Sequence, residues 1–246
     1  LGSSLTDTLR VYAQTLRFKR TTDEGLDWLD RHRTAEPGRP FLLWVQYMDP
    51  HDPYFAHDGT SDVFGHAIDP NPPKDKRDRI LELYRQEIRF TDEHIGRLLD
   101  GLRERGLLDN TVVVLWSDHG EEFQDHGDWW HGTTLYDELV HIPLIVRPPR
   151  AEPRVGWDRP PMKLKQLDVP GWVSLVDVPY TILEEAGYTP AELAGFGQQG
   201  ADLLLPRAQP LVFMEEDHQG NVLRAVKSAS DVLLVLWFFQ QADLFR

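Results

Sequence analysis

Three short stretches of this 246-residue sequence concentrate side chains able to hold a cation or move a proton: MDPHDPY (48–54), SDHGEEF (117–123) and HGDWWHG (126–132). In the second, Asp118 and His119 place a carboxylate beside an imidazole. Carboxylate oxygen suits hard cations such as Ca²⁺ or Mg²⁺, imidazole leans toward Zn²⁺ or Mn²⁺, and two such neighbours can turn to one ion. Two donors are not yet a site, because bound metals take at least three protein donors. The same residues also fit a helix start, with Asp118 as cap and Glu121 and Glu122 facing the dipole. Gly120 gives the chain freedom to bend away after the pair. His51 lies between Pro50 and Pro53, which fix the path of the chain. An imidazole held there can donate a proton or bind an anion, or can be an ordinary loop histidine. His126 and His131 follow closely enough for one of them to point into the same cleft, while Trp129 and Trp130 read as core or pocket wall. His57 and His66 carry no spacing signal and read as structural.

The elements that position these groups are legible as patterns. Thr21 and Glu24 have capping-box spacing, which predicts a helix from there to about His32. FLLWVQY (41–47) reads as a strand buried on both faces. Asp49 to Lys76 is rich in Asp, Pro, His and Gly and reads as a long functional or mobile loop. Ile80, Tyr84, Ile88, Ile95, Leu99 and Leu102 predict one apolar face of a long helix, with Gly106 as its C-terminal cap. VVVLW (112–116) and IPLIV (142–146) read as further buried strands, and PPRAEPRVGWDRPP (148–161) as a surface loop. Asp177 opens a helix closed by Gly187. LVFMEED, VLRAVK and VLLVLWFF predict short antiparallel strands. Strand–helix–strand units followed by a small meander argue for an α/β fold, in which ligands bind outside the carboxyl ends of the strands.

Composition narrows the function classes. Lys and Arg total 26 against 40 Asp and Glu, a formal net charge of −14. That balance disfavours nucleic acid or an anionic membrane surface as a partner, since both demand clustered cations. There is no cysteine, which removes disulfides, thiolate metal sites and cysteine nucleophiles. The longest apolar run, Val232 to Phe239, is too short to span a bilayer. The opening LGSSLTDTLR lacks a basic segment followed by an apolar one, and begins at Leu1 rather than Met. It reads as processed or truncated, so localisation stays open.

Taken in order, MDPHDPY, TDEHIGRLLDGLRERGLLDNTVVVLWSDHGEEF and HGTTLYDELVHIPLIVRPP resemble the type I sulfatases of the alkaline phosphatase superfamily. The blocks match the second half of that family's catalytic domain. VSLVDVPYTILEEAG resembles its next helix, and the closing strands resemble the start of its small C-terminal subdomain. The resemblance runs from about Thr22 to Leu236. It implies a mostly parallel sheet sandwiched by helices, alkaline-phosphatase-like, over residues 1–207. A partial antiparallel subdomain follows over 208–246, and the N-terminal part of the fold is missing. It implies that Asp118 and His119 ligate a divalent cation, Ca²⁺ first, with Mn²⁺ or Zn²⁺ as alternatives. It also implies that His51 and His131 contact the ester group, hold the sulfate and assist the leaving group, as catalytic and substrate-binding residues.

The departures matter equally. The family's nucleophile is a formylglycine made from Cys or Ser in a Cys/Ser-x-Pro-x-Arg motif, and no such motif occurs here. Ala35 to Arg39 matches only the Pro-x-Arg part, and in the wrong place. The family's first two metal aspartates and the Lys/His pair that precedes the His51 block are also absent. The formylglycine is expected in a missing N-terminal part. The implied function is hydrolysis of an anionic sulfate ester by a parent enzyme, with this chain inactive alone. Phosphodiester or phosphonate-ester hydrolysis, or a degenerate binding domain, are the alternatives. A truncated sheet would expose a strand edge that invites pairing with a second copy as a homo-oligomer.

Overall fold

The computed structural model describes residues 18–149, 171–205, 211–218, 221–228 and 233–239. The chain divides into two units, one formed by the residues up to Leu108 with Phe123–Trp129, the other by Asp109–Glu122 with the residues from Trp130 onward.

The first unit is built on two helices, α1 (Phe18–Ala35) and α2 (Arg77–Glu104). Thr21 lies inside α1, so the helix starts earlier than the capping-box spacing predicts. The two helices approach closely where α2 carries Gly101: a Cβ there would meet the Leu26 side chain at 2.4 Å. Ion pairs flank that contact, with Arg97 on Asp23 at 2.6 Å and Arg105 reaching both oxygens of Asp30 at 2.8 and 2.6 Å. α2 ends as expected. Gly106 adopts a φ of 66°, and Leu107 N–H donates to the Leu102 carbonyl at 2.9 Å.

Three expectations about this unit are corrected. FLLWVQY is not a strand; its even positions face out, with Leu42 at 76% and Trp44 at 67% exposure, while the odd positions are half-buried. It is covered on one face rather than two. The long loop that follows is not structureless. It carries an antiparallel hairpin of β1 (Tyr54–Phe55) and β2 (Val63–Phe64), with Tyr54 fully buried against Tyr84 and Phe123. The helix face also differs from the apolar reading. Ile88 is exposed, whereas Gln86, Glu87, Thr91 and His94 are buried; the first three bond to the loop, and His94 Nδ1 lies 3.1 Å from the Phe90 carbonyl of its own helix.

In the second unit β3 (Val113–Trp116) pairs with β6 (Leu144–Arg147), Val113 opposite Arg147 and Trp116 opposite Leu144. The pairing is antiparallel, which corrects the expectation of a mostly parallel sheet for these strands. A parallel return needs a crossover, usually a full helix. Here the connection holds turns, the short β4 (Glu122–Phe123) and β5 (Trp129–Trp130) hairpin, and the four-residue α3 (Asp137–Val140). Burial of β3 is partial rather than complete, and Ile145 on β6 is 58% exposed. The predicted loop from Pro148 to Pro161 lies, from residue 150, outside the described residues.

The predicted helix at Asp177 is α4 (Asp177–Glu185), and α5 (Pro190–Gly195) follows. The buried Asp177 carboxylate accepts the N–H of Ser174 at 3.2 Å and of Ala201 at 2.9 Å. Gly187 closes α4 at a φ of 102°, as the sequence predicts. The predicted meander is β7 (Val212–His218), β8 (Asn221–Lys227) and β9 (Leu233–Phe239), antiparallel throughout. Leu223 and Ala225 of β8 pack with Leu135. Lys227 is buried; its Nζ donates to both oxygens of Asp137 at 2.6 and 2.8 Å and sits 3.7 Å over the Trp172 ring. Truncating Asp137 to Ala leaves that ammonium with the ring alone and is expected to cost about 2 kcal/mol, read from the denaturant midpoint. An unchanged midpoint would show that the pair holds nothing.

Candidate functional site

The helix that Asp118 and its neighbours could have opened does not form. β3 ends at Trp116, and the chain turns through Ser117 to Gly120 into β4. The turn is held from the side by α3: Gly120 N–H donates to the Leu139 carbonyl at 2.8 Å and Glu121 N–H to the Glu138 carbonyl at 3.0 Å. Ser117 Oγ bonds the His119 carbonyl. Gly120 is required by this docking and not by an unusual φ. A Cβ on it would sit 2.0 Å from the Glu138 oxygen.

His119 Nδ1 lies 2.7 Å from the Gly120 carbonyl oxygen. A carbonyl can only accept, so Nδ1 carries a proton, and it is Nε2 whose lone pair the neutral form of the ring would offer to a metal. That Nε2 is 4.0 Å from Asp118 Oδ1, and the Asp118 side chain is 80% exposed. Both donors can reach one ion at bond lengths of about 2.0–2.6 Å. No group of three or more His, Asp or Glu side chains able to hold a metal occurs among the described residues. Two donors by themselves do not make a cation site.

His131 joins this pair. Its ring stacks on the His119 ring with centroids 4.1 Å apart and planes inclined by 29°. Its Nδ1 lies 2.9 Å from Glu121 Oε1, and the Glu121 side chain is almost completely buried. Glu121 was legible only as a charge near a presumed helix start; its position in SDHGEEF gave no sign that it orients His131. Directly before His131 stands Trp130, buried, with a φ of 72°. A bulky residue in the left-handed region is strained by about 1–3 kcal/mol and persists only where packing over-determines it. Of the two readings of Trp130, core or pocket wall, its burial agrees with either. His126 is exposed in the turn beyond β4.

His51 belongs to the first unit. Its N–H donates to the Met48 carbonyl at 3.0 Å, and its side chain is 47% exposed. Nδ1 lies 2.7 Å from the Asp52 carbonyl oxygen and 3.4 Å from Asp52 Oδ1. The carbonyl can only accept, so it again assigns a proton to Nδ1 and leaves Nε2 facing away from that bond. His57, read as structural, stacks on Phe90 at 4.4 Å and meets Glu87 at 3.0 Å. His66 is exposed, and its N–H donates to Asp52 Oδ2 at 2.8 Å.

Comparison with known proteins gives this geometry a context. A family model described as Sulfatase matches residues 13–188. Mouse (Mus musculus) Arylsulfatase K is 33% identical over 177 residues, which cover 72% of this chain and 28% of that protein. Human (Homo sapiens) Iduronate 2-sulfatase is 26% identical over 181 residues, 58% of this chain and 32% of that protein. The chain spans about a third of the length of the curated relatives it matches. Among solved structures, yidJ from Bacteroides fragilis, named as a sulfatase, superposes with a TM-score of 0.58 at 20% identity, covering 91% of this chain and 52% of that one. These neighbours have the alkaline-phosphatase-like fold. The match over most of its length shows that the chain belongs to the sulfatase family, the type I sulfatases of the alkaline phosphatase superfamily.

Proposed function

We propose that this chain contributes half of the active site of a metal-dependent hydrolase of sulfate esters. The observation that carries this is the stacked His119–His131 pair beside Asp118, within the residues that the family model matches. Asp118 Oδ1 and His119 Nε2 would hold a divalent cation, Ca²⁺ first, with Mn²⁺ or Zn²⁺ as alternatives. A bound cation would neutralise the sulfuryl oxygens as charge grows on them. His131, oriented by Glu121, would hold the sulfate, and His51 would donate a proton from Nε2 to the departing alcohol. An acidic protein binding an anion needs such a local positive cluster against its overall field.

The 246 residues contain no Cys and no Ser-x-Pro-x-Arg, so the chain alone is expected to show no turnover. Supplying the family's nucleophile-bearing segment should restore hydrolysis of an aryl sulfate. His51→Ala in that active protein should then lower kcat by about 10²–10⁴, with larger losses for poorer leaving groups. Hydrolysis by the chain alone would sink the half-site reading. One specific neighbour favours a second substrate class. A phosphonate monoester hydrolase from Silicibacter pomeroyi superposes with a TM-score of 0.53 at 20% identity over 91% of this chain and 55% of that one. Turnover of a phosphonate monoester in preference to the sulfate would select that class. Absence of both activities, with no cation uptake, would leave a non-catalytic domain.

A further inference from the structure

Glu87 is completely buried on α2, and both of its carboxylate oxygens are engaged by the loop that carries His51. Oε1 accepts the Phe55 N–H at 2.7 Å, and Oε2 lies 3.0 Å from His57 Nε2. Next to it, Gln86 Oε1 accepts the His57 N–H at 2.6 Å, and Gln86 Nε2 donates to Asp58 at 3.1 Å. One turn further, Phe90 stacks on the His57 ring, and Thr91 Oγ1 donates to the Asp49 carbonyl at 3.2 Å. Two turns earlier, Arg79 binds Asp62 at 2.7 Å, Thr60 at 2.9 Å and Asp58 at 3.1 Å. One stripe of α2 therefore grips residues 49–62 at three levels, and His51 lies between the grips on Asp49 and Phe55. Asp52, beside His51, is held in turn by the His66 N–H.

A buried carboxylate is costly unless its lone pairs are filled and its charge is compensated. An apolar residue at position 87 would continue the helix face but leave the Phe55 N–H without its acceptor. We propose that Glu87 is a positioning residue for His51. By holding the β1 backbone and the His57 ring at once, it fixes the segment from which His51 reaches the ester oxygen. This rests on the reading of His51 as a proton donor to a sulfate ester.

The test is Glu87→Gln, which keeps the volume and one acceptor but removes the charge facing His57, with His57→Gln as a second variant at a partly exposed position. Amide exchange at Phe55 and His57 is expected to accelerate by about 10-fold or more, and the His51 ring resonances to shift or broaden. In protein that hydrolyses aryl sulfates, Glu87→Gln should reduce kcat by about 10–100-fold, with the loss growing as the leaving group worsens. A defect in folding alone would reduce all substrates equally. Unchanged exchange and unchanged His51 resonances in both variants would overturn the proposal, as would an unaltered leaving-group dependence in active enzyme. If the protein supplied with the nucleophile-bearing segment hydrolyses no sulfate ester, the reaction assignment falls, and the exchange and resonance readouts still decide whether Glu87 positions the loop.

Discussion

Asp118→Ala is expected to abolish specific uptake of a divalent cation, weakening it by more than about 100-fold in calorimetry with Ca²⁺, Mn²⁺ or Zn²⁺. Loss of groups that merely orient metal ligands already costs about 10–100-fold, so removing a ligand outright should exceed that. The experiment is clean because the Asp118 side chain is 80% exposed and supports little besides the His119 N–H, which its Oδ1 meets at 3.1 Å. Stability should change by less than about 0.5 kcal/mol. The proposed site calls for donors beyond these two, so the titration belongs on a protein in which this chain is joined to the nucleophile-bearing segment of the proposal. Cation uptake that survives the substitution would remove Asp118 from the ligand set, and with it the proposed role of the neighbouring His119.

Gly120→Ala should be the most damaging single-methyl change in the second unit. The new Cβ would lie 2.0 Å from the Glu138 oxygen, 3.0 Å from the Glu138 carbonyl carbon and 3.3 Å from Leu139 Cα. All three are backbone atoms, so no flexible side chain can yield. Drawing the turn away would break the Gly120–Leu139 and Glu121–Glu138 hydrogen bonds together. A loss of about 3 kcal/mol is expected, along with displacement of His119 and Glu121 on either side. Gly96→Ala is the matched control. It lies inside α2 with nothing within 4 Å of the added carbon, and is expected to stabilise by about 0.5–1 kcal/mol. A denaturant series that places both variants at the wild-type midpoint would show that the α3 contact does not hold the turn.

Much of the local architecture could be read from residue order. Gly106 and Gly187 end their helices where a residue without Cβ can take positive φ, and the three closing strands fall on the runs LVFMEED, VLRAVK and VLLVLWFF. The adjacent Asp118 and His119, together with the order of the blocks around them, sufficed to point to the family. The failures have a common form. FLLWVQY is apolar enough for a doubly covered strand, yet how many of its faces are covered depends on segments distant in the chain. Ile88 fits the helical period, but the face of α2 that turns inward also carries Gln86, Glu87 and Thr91. A loop tens of residues away brings backbone N–H and C=O groups that need partners.

The candidate site divides in the same way. Residue identity alone determined which side chains can ligate a cation or transfer a proton, since that chemistry belongs to carboxylate and imidazole wherever they stand. Only the tertiary structure decided that His131 lies on the ring of His119, that Glu121 rather than solvent meets its Nδ1, and that Gly120 is needed for the approach of Glu138. Spacing along a chain encodes the period of one element. Stacking, burial of a charge and the clearance for a single methyl group are set by which distant backbone arrives beside it.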